Sequence, residues 1–289
     1  MFQKILVPLD GSKLAEQVFP YVIELASAFN SEVISVGVCE PEESEYGHIC
    51  RIYVNSQSDI LRDKIGAEKV KSLTLSGKPA EEIIDYAHRS DVNLIVMASH
   101  GRSGIKPWSL GSTVDKVLHK VNVPLLIIKA TDKPIKSAKS SLLHRILAPM
   151  DGTEICETVL PYLRECSKNL KSEVTLLQVL AEGKHVHTVG GIDFVYFKDH
   201  DISSERTKTE DYLKKILDTL DGPAAKKFKI RTGDPAEEIV KCAKETKSQV
   251  IALSTHGHTG IERWAYGSVT HKVLQTIKQS ILLIPISIA

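Results

Sequence analysis

KILVPLDGS, residues 4–12, is written a second time as RILAPMDGT, residues 145–153. Each copy is an apolar run closed by Asp-Gly-Ser or Asp-Gly-Thr. An uninterrupted apolar run suits a parallel strand buried on both faces, and the Asp-Gly step ends it in a turn. Two further blocks repeat in the same order. SGKPAEEII (76–84) returns as TGDPAEEIV (232–240), and SHGRSGIKPWSLGSTVDKVL (99–118) returns as THGHTGIERWAYGSVTHKVL (255–274). The offset, 145 against 4 for the first block and 255 against 99 for the last, grows from 141 to 156 residues. Two copies of one domain are therefore expected, residues 1–130 and 144–289, with the Lys/Ser-rich residues 131–143 as the linker and the extra length inside the second copy.

In the first copy, apolar runs at 5–9, 32–38, 70–75, 93–99 and 124–129 alternate with amphipathic stretches. One of these, Ala15 to Phe29, carries Val18, Val22, Leu25 and Phe29 at helical spacing, with a kink predicted at Pro20 and again at Pro161. PAEEIIDYAHR (79–89) opens with proline and two glutamates, a good helix start. Strands alternating with helical crossovers predict an α/β fold, here two tandem doubly wound domains, each a five-stranded parallel sheet with helices on both faces. Residues 41–58 and 181–204 read as irregular surface loops. The last apolar runs, PLLIIK (124–129) and SILLIPI (280–286), would be exposed edges, and pairing them within the chain would bury both.

Composition is that of a globular protein: 289 residues, 42% hydrophobic and 25% charged. The net charge of +1 argues against nucleic acid or an anionic membrane as obligatory partner. No apolar run is long enough to span a bilayer and the N-terminus shows no secretory pattern, so a cytoplasmic location is expected. Five widely spaced cysteines without a C-x-x-C pair read as free thiols in a reducing compartment.

Polar and glycine positions dominate what the copies share, which points to a site as well as a fold. In open parallel sheets ligands lie outside the C-terminal strand ends where strand order reverses. Asp10 and Asp151 end the first strand of each copy. Either could accept hydrogen bonds from a ribose or base, or simply cap the following helix. Gly101, Gly104, Gly257 and Gly260 permit close backbone approach. After nine intervening residues, Gly101 and Gly257 are followed by Gly111-Ser112-Thr113 and Gly267-Ser268-Val269, which open an amphipathic helix whose bare N–H groups suit an anion.

These residues resemble the universal stress protein family over nearly the whole chain, as a tandem pair. That family's ATP-binding members carry G-x2-G-x9-G-[ST], matched here by Gly101 with Gly111-Ser112 and by Gly257 with Gly267-Ser268. The motif's first glycine is Ala98 in one copy and Ser254 in the other. The resemblance implies sheets of order 3-2-1-4-5 and an adenine nucleotide (ATP, ADP or AMP, with or without magnesium) in one or both copies. Pro8, Asp10, Val38, Gly101, Arg102, Gly104, Gly111, Ser112 and Thr113 would surround the first nucleotide. Pro149, Asp151, Val179, Gly257, Gly260, Gly267, Ser268 and Val269 would surround the second, each valine lying against the adenine. Between its glycines the first loop carries Arg102 and Lys106, whereas the second carries His258, Glu262 and Arg263, so the first site should prefer the anion.

Other signals are weaker. His100 and His256 lack a nucleophile partner and read as loop-orienting. His185 with His187, and His48 with Cys50, have the spacing of strand-borne metal ligands but are too few for a zinc site. Trp108 and Trp264 read as packing the loop. The expected role is a stress sensor or regulator, with an unknown protein partner and chain dimerisation left open. Slow ATP hydrolysis with autophosphorylation, or a nucleotide-free interaction module, are the competing readings.

Overall fold

The computed structural model describes residues 1–39, 44–101, 110–131, 141–180, 202–220, 222, 224–255 and 267–286, and the backbone course of 184–188 and 191–195. The first half runs β1 (Lys4–Leu9), α1 (Phe19–Phe29), β2 (Glu32–Cys39), α2 (Glu45–Ile65), β3 (Val70–Ser76), α3 (Pro79–Arg89), β4 (Leu94–Ala98), α4 (Ser112–Lys120) and β5 (Leu125–Ile128). The second half runs β6 (Arg145–Met150), α5 (Glu154–Glu157), α6 (Leu160–Asn169), β7 (Glu173–Leu180), β8 (Lys184–Thr188), β9 (Gly191–Val195), α7 (Ile202–Thr219), β10 (Lys226–Thr232), α8 (Pro235–Glu245), β11 (Val250–Ser254), α9 (Ser268–Thr276) and β12 (Ser280–Ile284).

All strands but the β8–β9 hairpin form one ten-stranded sheet, ordered β10-β7-β6-β11-β12-β5-β4-β1-β2-β3. Each half therefore has the order 3-2-1-4-5. Within a half the strands are parallel, and the halves join where β5 and β12 pair antiparallel, with Leu126 opposite Leu282. The two edges predicted to need cover thus cover each other. Because this one pairing is antiparallel, the strands of the two halves run in opposite directions.

Helices lie on both faces, and alternate strand residues feed them. Ile5, Val7 and Leu9 pack in a cluster with Val22, Leu61, Leu163 and Leu213, while Leu6 and Ile95 pack with Ile83, Val117, Ile239 and Val273. Both clusters run across the junction, so the halves share their core. At roughly 25 cal/mol per Å² of apolar surface buried, this two-sided burial is the main stabilising contribution.

The predicted kink at Pro20 is absent. A 3-10 turn over Ala15–Val18 precedes α1, which places Pro20 in the first helical turn, where its missing N–H has no intrahelical acceptor to lose. Pro161 occupies the same place in α6. Residues 41–58 are not an irregular loop throughout, since α2 begins at Glu45 with Ser44 Oγ accepting the Gly47 amide at 2.9 Å. His48 and Cys50 therefore lie on a helix. The second copy's extra length supplies the β8–β9 hairpin, on which His185 and His187 fall, their side chains outside the described residues. Residues 132–140 of the predicted linker also lie outside them. Its described ends are fixed to α1 and the turn before it: Gln17 Nε2 donates to the Thr131 carbonyl at 2.6 Å, and the Leu142 amide donates to Glu24 at 2.8 Å.

The reading of all five cysteines as free thiols is overturned for one pair. Cys39 and Cys50 are joined in a disulfide, their Cα atoms 6.2 Å apart, while Cys156, Cys166 and Cys242 are free and buried. Folding α2 back over the end of β2 creates this proximity, which linear spacing does not reveal. Among the described residues, no helix is long and apolar enough to cross a membrane, and no group of three or more His, Cys, Asp or Glu could hold a metal.

The edge strand β10 is tied to α8 by Arg231, which pairs with Glu238 at 3.1 Å and also with Glu245. Arg231 first holds the Glu245 carboxyl below its ordinary value, against burial and with Lys229 assisting. A depressed folded-state pKa contributes stability above the unfolded value and loses it as pH falls. Arg231→Met should therefore lower the urea midpoint at neutral pH, and the gap to wild type should close as pH falls below about 4.5, the carboxyl's ordinary value. A gap that is constant from neutral pH down to pH 3 would contradict this account.

Candidate functional site

The reversal in strand order falls between β1 and β4 in the first half and between β6 and β11 in the second. A cleft opens at each. The first, about 340 Å³, is lined by Pro8, Asp10, Val36, Val38, Pro79, Ile83, Met97, Ala98, His100, Gly101, Gly111, Ser112 and Thr113 among others. The second, about 350 Å³, includes Pro149, Asp151, Cys156, Val179, Pro235, Ile239, Ser254, Gly267, Ser268 and Val269. Both volumes lie within the roughly 300–1,000 Å³ usual for small-molecule sites. Every sequence-predicted site residue that is described lines one of these two clefts. Arg102, Gly104, Gly257 and Gly260 lie outside the described residues, as do Lys106, Trp108, His256, His258, Glu262, Arg263 and Trp264.

The Asp-Gly-Ser/Thr turn divides its roles. Asp10 Oδ1 accepts the Ser12 amide at 3.0 Å, and Ser12 Oγ accepts the Ala15 amide at 3.1 Å. Asp151 Oδ1 likewise accepts the Thr153 amide at 3.0 Å and its hydroxyl at 2.6 Å, while Thr153 Oγ1 accepts the Cys156 amide at 3.2 Å. Ser or Thr caps the next turn, so the carboxylate is not the helix cap. It holds the turn and faces the cleft. A Cβ on Gly101 would overlap the Asp10 carboxylate, so any other residue there obliges the carboxylate to move.

The opposite wall is the start of α4. The Gly111 amide donates to the Ser99 carbonyl at 2.8 Å, and the Gly267 amide to the Thr255 carbonyl at 3.2 Å. Each glycine amide is thus occupied in fixing the helix against the strand end and does not face a ligand. The amides left for an anion are those of Ser112, Thr113 and Val114, and in the second cleft Ser268, Val269 and Thr270. The N-cap residues, Gly111 and Gly267, have no side chain with which to cap either helix. Three such amides and the helix dipole form an anion-receptive end. Among the described lining residues neither cleft presents a lysine or arginine, and the second adds Glu205 to Asp151.

His100 lines the first cleft at 3% exposure, its Nδ1 held by Ser99 Oγ at 3.1 Å, and the same Ser99 Oγ accepts the Ala130 amide. This geometry anchors the strand-to-loop transition. Sequence reasoning missed the apolar slot made by Val36, Ile83 and Met97, although Pro79 and Ile83 sit in a repeated block. It also missed Cys156, which stands where the first cleft has Ala15. Burial pushes the Cys156 thiol pKa up, with Asp151 nearby.

Sequence and structure comparisons agree with this architecture. The sequence model of the universal stress protein family matches residues 1–129 and again 143–285. The chain is similar to universal stress protein MJ0531 of Methanocaldococcus jannaschii, 28% identical over 145 residues, covering 46% of this chain and 85% of that one. It is also similar to MJ0577 of the same organism, 29% identical over 155 residues, covering 45% and 96%. The crystal structure of a universal stress protein from Archaeoglobus fulgidus shares its fold over 99% of both chains, with TM-score 0.67 at 20% identity.

Proposed function

The chain belongs to the universal stress protein family, and from that premise we propose that it binds an adenine nucleotide (ATP, ADP or AMP) at the strand-end cleft of one or both halves. We infer a cytoplasmic sensor or regulator, with at most weak ATP hydrolysis. The observation that supports this best is the pairing, twice in one chain, of a carboxylate-bearing turn with three first-turn amides of a glycine-started helix across an apolar slot. The slot suits a purine face, the carboxylate suits ribose or base donors, and the amides suit phosphate. Charge-assisted hydrogen bonds contribute on the order of 1.5–3 kcal/mol each, so a few of them with ring burial reach micromolar affinity, about −8 kcal/mol, after ordering costs.

Protein purified without added nucleotide should release adenine nucleotide on denaturation, identified by mass spectrometry at one or two equivalents per chain. Calorimetric titration of the emptied protein with ATP should give the same stoichiometry. Both clefts remaining empty at millimolar ATP would refute the proposal and leave a nucleotide-free interaction module.

A further inference from the structure

A cysteine pair sits where the first cleft meets α2, and nucleotide binding leaves it unused. Cys39 ends β2 directly after Val38, which lines the cleft. Cys50 lies in the second turn of α2, disulfide-bonded to it, and both are partly exposed. The place is built for the pair. A Cβ on Gly37 would press into Val54 and come within 3.2 Å of Cys50 Sγ, so a side chain there would push α2 away. Three residues beyond Cys50, Tyr53 lines with Asp10, Gly11, Cys39 and Cys50 a pocket beside the cleft, its hydroxyl donating to Glu16 at 3.4 Å. Burial first, then the Glu16 and Asp10 carboxylates, push its phenol pKa up, while the Gly11 backbone opposes them. Less than one helical turn therefore connects the sulfurs to the Asp10 turn. The second half has no counterpart, since β7 ends in Leu180.

We propose that Cys39 and Cys50 form a reversible dithiol–disulfide site that sets the ligand affinity of the first cleft alone, holding it in shape when oxidised and slackening it when reduced. The proposal rests on the nucleotide reading above. Disulfides in a cytoplasmic protein are commonly transient or redox-sensing, and partial exposure admits a small dithiol. A thiolate of that dithiol attacks one sulfur, the S–S bond breaks, and the departing cysteine takes up a proton. The reductant's second thiol then displaces the other cysteine, which is protonated in turn, and the reductant leaves as its own disulfide. Two electrons and two protons pass to the protein. Oxidation by a small-molecule disulfide is the reverse exchange and releases two small thiols.

The remaining cysteines do not confuse the measurement. Cys156, Cys166 and Cys242 are buried, and burial pushes their thiol pKa values up, that of Cys166 to about 12. Native protein treated with dithiothreitol, then alkylated with iodoacetamide, should gain two adducts mapping to Cys39 and Cys50, and none without reductant. ATP titration should show one site weakened about fivefold on reduction, the low end of ordinary coupling between sites, and any second site unchanged. Cys39→Ser/Cys50→Ser should keep the weaker value under both conditions. Hydrogen exchange at residues 10–12 and 44–54 should quicken on reduction. Equal ATP affinity in both redox states overturns this proposal and leaves the nucleotide reading standing. If ATP binds neither state, the nucleotide reading fails, and the exchange data decide the redox coupling: unchanged exchange at residues 10–12 overturns it, faster exchange upholds it.

Discussion

Gly101→Val is expected to weaken adenine nucleotide binding at the first cleft roughly 10- to 100-fold, the equivalent of losing one charge-assisted hydrogen bond. The second cleft should be unaffected. A Cβ at residue 101 overlaps the Asp10 carboxylate, which already accepts the Ser12 amide at 3.0 Å. To make room the carboxylate must leave either that amide or the ligand, and the turn geometry favours leaving the ligand. Gly101 is partly exposed at the strand end, outside the packed clusters, so stability should change little. Calorimetry on folded variant, with far-ultraviolet circular dichroism as the control, reads the effect directly. Two sites of unaltered affinity would show that Asp10 takes no part in recognition.

Leu126→Asp is expected to destabilise the whole chain by about 4 kcal/mol, the range for an unpaired charge left in a core. Leu126 is 2% exposed and faces Leu282, 5% exposed, across the antiparallel pairing that joins the two halves of the ten-stranded sheet. A carboxylate there has neither water nor a cation, and both core clusters pass through the same junction. The urea midpoint should fall sharply, and the halves should lose their common transition. Leu126→Met, which preserves volume, should cost less than about 1.5 kcal/mol. If the aspartate variant unfolds like wild type, the junction does not hold the halves together.

The strands were legible because residues such as Leu94 to Ala98, apolar at every position and buried at every position, match only a strand covered on both faces. The helix α2 was not. Its buried residues include Val54, Leu61 and Ile65, but Tyr46, Ile49, Ile52 and Ile60 are exposed, which blurs the helical period. With α2 unrecognised, its contacts with the cleft were invisible: the Cys39–Cys50 bond and the approach of Tyr53 to the Asp10 turn. The described glycines and aspartates of the site were legible as positions because repetition marked them. Their division of labour was not, because whether Asp10 or Ser12 caps the following turn depends on side-chain direction. Likewise the sequence shows a helix start at Gly111, but only the fold shows its amide engaged by Ser99.

The head-to-head strand junction has a consequence for any molecule that would read the state of the protein. Since strands on its two sides point opposite ways, the two binding mouths look out from opposite rims of the slab. A double-headed ligand on a short tether cannot chelate one chain and would instead string neighbouring chains together. A single compact partner can likewise sample only one mouth at a time, so each site is positioned to report to a different listener.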